Sequence, residues 1–281
     1  MEKDLDGRTF LVTGANTGIG KATAHGLAAR GARVILANRS EAKTTPVIEE
    51  ITAATGNGEV EYVHLDLADL ASVKAAADAL VERGEHLDVL VDNAGVAGQR
   101  GQTAQGFELA FGINHLGHFL FTTELLERLG DGAPGRVVVV ASESHYTAKG
   151  IDWEALRRPT ATTTGLREYG VSKLCNVLFA QELARRYESR GLEACSLHPG
   201  VIASDVWRRV PWPIRPIMKM FMRSPEQGAT TSLYCATAKD LEGPNGAFYD
   251  DCRTKAPNPI ATPELAKELW ERSEEWVADF R

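Results

Sequence analysis

Short apolar runs that alternate with helical patterns are the feature that most constrains this fold. Six runs rich in Val, Leu and Ile are separated by five segments with helical periodicity. The runs are nearly continuous, as expected of strands that are covered on both faces. The pattern predicts an α/β fold with a doubly wound parallel sheet and helices on both faces. The predicted strands are Arg8–Thr13, Arg33–Ala37, Val60–His64, Leu87–Val91, Arg136–Ala141 and Leu192–Leu197.

The remaining segments complete one domain and add one irregular stretch. An α/β chain of about 250 residues commonly folds around a single sheet, so we predict one domain over residues 1–281. Residues 201–223 break the alternation, because prolines, tryptophans and methionines concentrate there. A short strand is predicted near Gly246–Tyr249. The predicted helices are Lys21–Arg30, Glu41–Ala54, Leu70–Arg83, Gly106–Leu129, Leu166–Arg190, one near Pro225–Ala238 and one from Pro263 to the end.

Charge and cysteine usage exclude several classes of protein. The net charge of -7 is spread without basic blocks, which argues against a nucleic-acid partner. The segment Met1–Asp6 is charged and lacks the apolar region of a secretory signal, and no apolar run reaches membrane-spanning length. We therefore expect a cytoplasmic protein without a membrane span. No Cys-x-x-Cys pair occurs, and we interpret all four cysteines as buried or semi-buried thiols: Cys175, Cys195, Cys235 and Cys252.

A glycine-rich turn directly follows the first predicted strand and opens a helix. It reads Thr13-Gly-Ala-Asn-Thr-Gly-Ile-Gly20. Glycine permits a tight turn and a close approach of backbone N–H groups to a pyrophosphate, which the helix dipole also favours. An ordinary strand-to-helix turn is the alternative, but the position after the first strand favours a dinucleotide site. The predicted contacts in this turn are Gly14, Asn16, Thr17, Gly18, Ile19 and Gly20.

The end of the second strand indicates which dinucleotide is bound. A free 2′-hydroxyl is usually met by a carboxylate, whereas a 2′-phosphate is met by a cation. This chain has Asn38 and Arg39 there, so no acid competes and the arginine can bind phosphate through its forked donors. We predict NADP(H) as cofactor. The alternative is that Arg39 is an ordinary solvated surface arginine.

A tyrosine and a lysine four residues apart form the predicted catalytic pair. Tyr169 and Lys173 lie near the start of a predicted helix, where this spacing places both side chains on one face. A phenol needs a neighbouring positive charge to act as an acid or base at neutral pH. Ser142 follows the fifth strand, at the sheet edge where ligands bind in such folds, and its hydroxyl can hold a substrate oxygen. Asn114 is predicted to hold a water that returns protons to Lys173, unless it simply bonds a helix carbonyl.

These motifs, in this order and at these spacings, resemble the short-chain dehydrogenase/reductase family over nearly the whole chain. The resemblance implies a Rossmann-type domain with a seven-stranded parallel sheet. It also implies that Asn114, Ser142, Tyr169 and Lys173 form a catalytic tetrad for hydride transfer between a nicotinamide and a carbonyl or alcohol. The further cofactor contacts that it implies are Asp66, Leu67, Asn93, Ala94, Gly95, Pro199, Gly200, Val201, Ile202 and Ser204.

Three further stretches resemble the retinol dehydrogenase-like branch of that family. They are Asn114-His-Leu-Gly-His-Phe119, Leu197-His-Pro-Gly-Val201, and Tyr249-Asp-Asp-Cys252 followed by Leu269-Trp270. This branch largely prefers NADP(H) and reduces aldehydes or ketones on apolar molecules. We expect this protein to lack the membrane anchor of that branch, so the resemblance does not imply retinoid chemistry at a membrane.

The irregular segment 201–224 is predicted to cover the substrate. It follows the sixth strand and carries large apolar side chains that suit a bulky aromatic or polycyclic ketone, whose oxygen Ser142 and Tyr169 would hold. The alternative is an amphipathic surface for a membrane or a subunit, since basic residues are interspersed. The Ala- and Arg-rich composition suggests a bacterial ketoreductase that tailors a secondary metabolite. The predicted substrate contacts in the segment are Trp207, Trp212, Met218 and Phe221.

Other functions and assemblies stay open at this stage. A non-catalytic NADP(H)-sensing regulator on the same fold is the main alternative, although it would not need the complete tetrad. Dehydration or epimerisation usually involves an altered tetrad or an added acid. His115 and His118 lack an acid or thiol at ligand spacing, so we predict no metal, with one histidine packed and the other facing solvent. The resemblance implies a homo-oligomer, a dimer or a tetramer. A monomer stays open, because the long loop and the C-terminal helix could cover the usual subunit interfaces.

Overall fold

One mostly parallel sheet organises the computed structural model, which describes residues 3–130, 135–200 and 224–281. Within these residues, its spatial order by chain position is third, second, first, fourth, fifth, sixth, seventh and eighth strand. The order reverses between the first and the fourth strand, and the crevice beside such a reversal is where open α/β sheets bind ligands. The strands are β1 (Thr9–Thr13), β2 (Arg33–Asn38), β3 (Val60–His64), β4 (Val89–Asp92), β5 (Arg136–Val140), β6 (Glu193–His198), β7 (Phe248–Asp250) and β8 (Arg253–Thr254).

Helices cover both faces of the sheet, as the alternating pattern predicts. One core layer lies between the sheet and α1, α2 and α7, and the other lies between the sheet and α3, α5, α6 and α8. The central strands β1 and β5 are buried along their whole length, which explains their continuous apolar sequences. The helices with their bounds are α1 (Gly18–Ala29), α2 (Glu41–Thr55), α3 (Leu70–Glu82), α4 (Leu109–Phe111), α5 (Gly117–Glu124), α6 (Leu166–Tyr187), α7 (Pro225–Thr237) and α8 (Pro263–Val277).

The sheet differs from the predicted seven parallel strands by an additional antiparallel edge strand. A two-residue turn after β7 reverses the chain, so that Asp250 pairs with Arg253. The turn residues Asp251 and Cys252 have φ of 51° and 61°, in the left-handed region. Two-residue turns with positive φ match the twist of a hairpin but usually contain Gly or Asn, so the residues Asp251 and Cys252 do not predict this turn. The seven predicted parallel strands are therefore present, and β8 adds one antiparallel strand at the edge.

The helix predicted over Gly106–Leu129 is also interrupted. It begins only at Leu109, where the Glu108 carboxylate accepts a hydrogen bond from the Phe111 N–H at 2.8 Å. A π-helical stretch, Gly112–Leu116, then separates α4 from α5. A wider turn of this kind rotates the residues that follow it and is frequent at functional sites. Asn114 lies in the middle of this stretch.

The C-terminal helix packs against α6 and α5 through aromatic side chains. Trp270 of α8 is buried and meets Phe119 edge-on at 4.9 Å between ring centroids, and it stacks on Phe179 at 5.9 Å. These contacts attach the last part of the chain to the helices on one side of the sheet. All four cysteines are free; three are buried and Cys252 is half-buried, which confirms their interpretation as thiols.

Candidate active site

The carboxyl ends of the parallel strands bring most of the predicted site residues together. Ser142 lies two residues beyond β5, and Asn93 follows β4 directly. The glycine-rich turn follows β1, while Asn38 ends β2. Because the strands are parallel, these ends share one edge of the sheet. The edge therefore combines the predicted dinucleotide turn with the predicted catalytic residues.

The glycines in the turn after β1 are required by geometry. A Cβ atom at Gly14, whose φ is 66°, would lie 2.8 Å from the Cα of Ala94, and one at Gly20 would lie 2.4 Å from the carbonyl oxygen of Gly14. Gly18 has φ of 57° and faces open space. Thr17 precedes the helix without a side-chain cap, and no acid occupies its first turn. An open, uncapped helix N-terminus of this kind fits the phosphates of a dinucleotide.

The end of β2 has polar groups that the described part of the protein leaves unpaired. Asn38 is 4% exposed, and neither its amide nitrogen nor its amide oxygen has a hydrogen-bond partner there. Burying such a group without a partner costs about 1–3 kcal/mol, so a bound ligand that pairs it is favoured. The next residue, Arg39, is exposed and forms no ion pair with the described residues. Asn38 and Arg39 thus fit the adenosine end of a dinucleotide.

The other predicted cofactor contacts lie around the same crevice, with one exception. The Asp66 carboxylate accepts a hydrogen bond from the Ala68 N–H at 3.0 Å and stays partly exposed. The side chain of Leu67, in contrast, is buried in the core, and the carbonyl of Leu67 faces Gly117. Leu67 could therefore reach a ligand only through its backbone. Pro199 and Gly200 lie beyond β6, and Gly200 has φ of 88°.

The predicted catalytic side chains meet beside the ends of β5 and α6. Ser142 lies close enough to the Tyr169 hydroxyl to lower the pKa of that phenol, and its own hydroxyl donates a hydrogen bond to the Ser144 Oγ at 3.3 Å. The Lys173 ammonium lies 5.8 Å from the centroid of the Tyr169 ring, and it donates a hydrogen bond to the Val140 carbonyl at 2.6 Å. A Cβ atom at Gly95 would lie only 3.5 Å from the Lys173 Nζ. Because Gly95 has no side chain, the backbone of the 93–96 turn can lie directly beside Lys173.

Burial shifts the two titratable groups of this cluster in opposite directions. Burial raises the pKa of Tyr169 above its ordinary value, and the hydrogen bond from Ser142 partly offsets that shift. Burial lowers the pKa of Lys173 to about 7. Both shifts favour the uncharged form, as expected in a poorly solvated site. A lysine that titrates near neutral pH is suited to exchanging a proton with its surroundings.

Asn114 forms a clamp between the turn after β4 and helix α6. Its Oδ1 accepts from the Val96 N–H at 2.8 Å, and its Nδ2 donates to the Val96 carbonyl at 3.0 Å and to the Ser172 Oγ at 2.9 Å. Both donors of the amide are therefore used by protein groups. This arrangement positions Asn114 beside Lys173, and a water bound to its side chain would have to use the remaining lone pair of Oδ1.

One of the two histidines beside Asn114 was predicted to face solvent, and that part of the prediction was wrong, since both are packed. Both are 1% exposed, and burial lowers the pKa of each to about 3. His115 hydrogen-bonds to Ser273 of α8 at 3.0 Å, whereas His118 hydrogen-bonds to Thr13 of β1 at 2.9 Å. The helix is covered on one side by α8 and on the other by the sheet edge, which leaves no exposed face for either ring. Among the described residues, no cluster of three or more His, Cys, Asp or Glu side chains could hold a metal ion.

The predicted residues in the segment after Gly200 lie outside the described residues. They are Val201, Ile202 and Ser204 for the cofactor, and Trp207, Trp212, Met218 and Phe221 for the substrate.

Comparison with known proteins identifies the family. The model of the short chain dehydrogenase family matches residues 8–153. The chain belongs to this family. Human retinol dehydrogenase 11 is 43% identical over 274 residues, covering 96% of this chain and 85% of the relative. Human dehydrogenase/reductase SDR family member 13 is 42% identical, covering 96% of this chain and 73% of the relative. This short-chain dehydrogenase is therefore retinol dehydrogenase-like, and its family acts on alcohols and carbonyls with a nicotinamide cofactor.

Solved structures of other proteins share this fold. An uncharacterized protein from Mycobacterium paratuberculosis has a TM-score of 0.79 at 32% identity, covering 99% of this chain and 97% of the other. A short chain dehydrogenase from Shigella flexneri 2a, solved in complex with NADP, has a TM-score of 0.71 at 25% identity, covering 89% and 99%. Within its described residues, this short-chain dehydrogenase has no helix that is long and apolar enough to cross a membrane.

Proposed function

We propose that this chain is an NADP(H)-dependent carbonyl reductase and alcohol dehydrogenase that acts on a ketone or aldehyde of a bulky apolar molecule. The observation that carries the proposal is that the Lys173 ammonium lies 5.8 Å from the centroid of the Tyr169 ring, with Ser142 beside the tyrosine and an uncapped helix N-terminus at the same sheet edge. When bound, the dinucleotide supplies the hydride for reduction and accepts it in the reverse direction.

Each of these side chains has a separate task in the proposed reaction. Tyr169 donates its phenolic proton to the carbonyl oxygen as the hydride adds to carbon, which yields the alcohol. Ser142 donates a hydrogen bond to that same oxygen and keeps it within reach of the tyrosine. Lys173, whose pKa burial lowers to about 7, can carry a positive charge near neutral pH that lowers the cost of forming the tyrosinate, and it then returns a proton to it. Asn114 holds the 93–96 turn against the lysine.

The preference for NADP(H) is supported by the end of β2. Arg39 is exposed and free of ion pairs with the described residues, and Asn38 has no charge that would repel a 2′-phosphate. A guanidinium can bind a phosphate through two parallel hydrogen bonds. The Shigella relative was solved with NADP, which agrees with this proposal.

The proposal of a bulky apolar substrate is supported by the sequence and by the relatives. Segment 201–224 carries two tryptophans, three methionines and a phenylalanine, and we propose that it covers the substrate. The names of several relatives specify retinol, an apolar alcohol. A polycyclic or aromatic ketone of a secondary metabolite would suit the same kind of surface.

The proposal is tested by following the consumption of reduced dinucleotide with a panel of bulky and small ketones, using NADPH and NADH in parallel. We expect turnover with NADPH on the bulky ketones and its loss in Tyr169→Phe, with unchanged NADPH binding. Tyr187→Phe is the matched control, because Tyr187 lies at the other end of α6. Tight NADPH binding without turnover on any compound would contradict the proposal and favour a cofactor-sensing regulator.

A further inference from the structure

Three fully buried polar residues face the carboxyl edge of the sheet from the interrupted helix. They are Asn114, His118 and Thr122, spaced four residues apart and each at most 1% exposed. Asn114 binds the 93–96 turn, and Thr122 donates to the Asp92 carboxylate at 2.8 Å. His118, between them, reaches Thr13 at the end of β1. Buried polar groups of this kind are retained where they fix a specific geometry.

The hydrogen bonds of His118 have only one consistent direction. The carbonyl of Asn114 can only accept, so the Nδ1 of His118, 3.1 Å away, donates to it. Burial keeps the ring neutral, which leaves Nε2 as an acceptor. The Thr13 hydroxyl, 2.9 Å from Nε2, therefore donates to the histidine. The other acceptor near this hydroxyl, the Val91 carbonyl, is more distant at 3.4 Å.

The oxygen of the same Thr13 hydroxyl holds the turn that follows β4. It accepts hydrogen bonds from the N–H groups of Asn93 at 3.0 Å and Ala94 at 2.9 Å. Because the hydroxyl donates one hydrogen bond to His118 and accepts two from the N–H groups, it has no donor or lone pair left for another partner. The imidazole thus determines the orientation of a hydroxyl that fixes one side of the 93–96 turn, while Asn114 fixes the other side.

We propose that His118 is a positioning residue that aligns the 93–96 turn and Asn114 with each other and hence with Lys173. The proposal rests on the proposed function in one respect: the aligned groups are those that would bind the dinucleotide and exchange the proton. His118 itself contacts no reacting atom. Its role is carried by two neutral hydrogen bonds, one to the Thr13 hydroxyl and one to the main-chain carbonyl of Asn114, the two residues whose side chains bind the turn.

His115 provides a matched control within the same helix. It is equally buried and neutral, and it also makes a side-chain hydrogen bond, but its partner is Ser273 in the C-terminal helix. Its ring packs among aromatic side chains, including that of Phe179 at 5.7 Å between centroids. Replacing either histidine by leucine removes a buried imidazole of the same size. We expect only His118→Leu to disturb the 93–96 turn.

The test measures backbone amide exchange over residues 93–96, the dissociation constant for NADPH and kcat in His118→Leu, His118→Gln and His115→Leu. We expect His118→Leu to speed amide exchange of Asn93 and Ala94 and to lower kcat or NADPH affinity by about tenfold or more, since a displacement of about 1 Å can cost that much. His118→Gln, which offers an amide oxygen to the Thr13 hydroxyl, should recover part of the loss. His115→Leu should lower the melting temperature without these changes.

A double-mutant cycle keeps the test decisive if His118→Leu does not fold. Thr13→Val removes the shared hydroxyl, and we expect His118→Gln to have less effect in that background than in the native one. The inference would be overturned if the effects of Thr13→Val and His118→Gln were additive. It would also be overturned if the 93–96 amides exchanged at the same rate in the His118 and His115 variants. Faster exchange with native kcat and NADPH affinity would overturn it as well. If the native protein neither binds nor turns over a dinucleotide, the proposed function fails, whereas amide exchange still decides whether His118 holds the turn.

Discussion

The two ends of the parallel sheet use their polar residues in opposite ways. At the amino end, the charged side chains that begin the strands are paired with one another. Arg33 binds both Glu85, at 2.6 Å, and Glu61. Arg136 binds Glu193, at 2.7 Å, and donates to two carbonyls at the end of α7. These arginines and their partners form a network of paired charges, as expected of a structural surface.

At the carboxyl end, buried polar groups lack partners or have shifted pKa values. Both side-chain polar atoms of Asn38 and the Oδ1 of Asp92 have no partner in the described part of the protein. Lys173 is buried with a carbonyl rather than a carboxylate as its partner. Such groups are costly to retain, so those at the carboxyl end indicate where a bound ligand could pair with them. The comparison separates residues that stabilise the fold from residues that act on a ligand.

The largest expected effect follows from removing the buried ammonium. Lys173→Met should reduce turnover by roughly a hundredfold to ten-thousandfold, because Tyr169 loses the positive charge that assists its ionisation. The melting temperature should not fall, since burial already disfavours the charged lysine. Steady-state kinetics and calorimetry of the variant check both statements. Lys267→Met, at an exposed pair on α8, is the control, and native turnover in Lys173→Met would contradict the division between the two ends.

At the amino end, the expected effect is on stability alone. Arg136→Met should lower the free energy of unfolding by about 3 kcal/mol, because it leaves the carbonyls of Cys235 and Ala238 without their donor. Its kcat should equal that of the native protein. Urea denaturation monitored by circular dichroism gives the first quantity. The control Arg185→Met removes an exposed partner of Glu182 and should lower the free energy of unfolding by no more than about 1 kcal/mol. An equal loss of unfolding free energy in both variants would show that the burial of Arg136 has no special effect.

A smaller effect is expected at the exposed side of the carboxyl end. Arg39→Leu should lower the preference for NADPH over NADH by about tenfold or more, because a charge-assisted hydrogen bond to phosphate contributes about 1.5–3 kcal/mol. The ratio of kcat/KM for the two dinucleotides measures the preference. Arg190→Leu, at the amino end, should leave the ratio unchanged. An unchanged ratio in Arg39→Leu would show that Arg39 is an ordinary solvated surface residue that does not bind the 2′-phosphate.

The smallest expected effect is a change in the pH dependence of stability. Burial raises the pKa of Asp92 from 3.8 to about 8, so the folded protein keeps a proton that the unfolded chain releases near pH 4. The contribution of Asp92 to stability is therefore complete below about pH 4 and is lost as the pH rises toward about 8. Asp92→Asn removes this titration. The stability of the variant relative to the native protein should thus increase between pH 4.5 and pH 6.5, by at most about 1.4 kcal/mol per unit.

Urea denaturation at several pH values in that range measures the effect. The range also avoids the titration of Lys173, whose pKa of about 7 lies above it. Parallel pH profiles for Asp92→Asn and the native protein would show that Asp92 is ionised in the folded state. The carboxyl end would then contain one buried charge more than the comparison assumes.

The sequence by itself determined the features that depend on local spacing. Continuous apolar runs separated by helical patterns defined the parallel α/β sheet, because the periodicity of a segment fixes which of its faces are buried. The glycines after β1 were identified because only glycine tolerates those dihedral angles and contacts. The four-residue spacing of Tyr169 and Lys173 on one helix predicted that their side chains lie together. The position of Ser142 directly after a central strand predicted that it lies beside them.

Tertiary structure alone decided the features that depend on distant parts of the chain. His118 and Thr13 are 105 residues apart, and His115 and Ser273 are 158 apart, so no local pattern could assign the two rings to opposite sides of one helix. The π-helical stretch, the antiparallel edge strand and the isolation of the Asn38 amide likewise depend on what packs against each residue. Short-range sequence patterns specify which faces are buried, whereas the partner of a buried polar group is known only when the folded chain brings that partner to it.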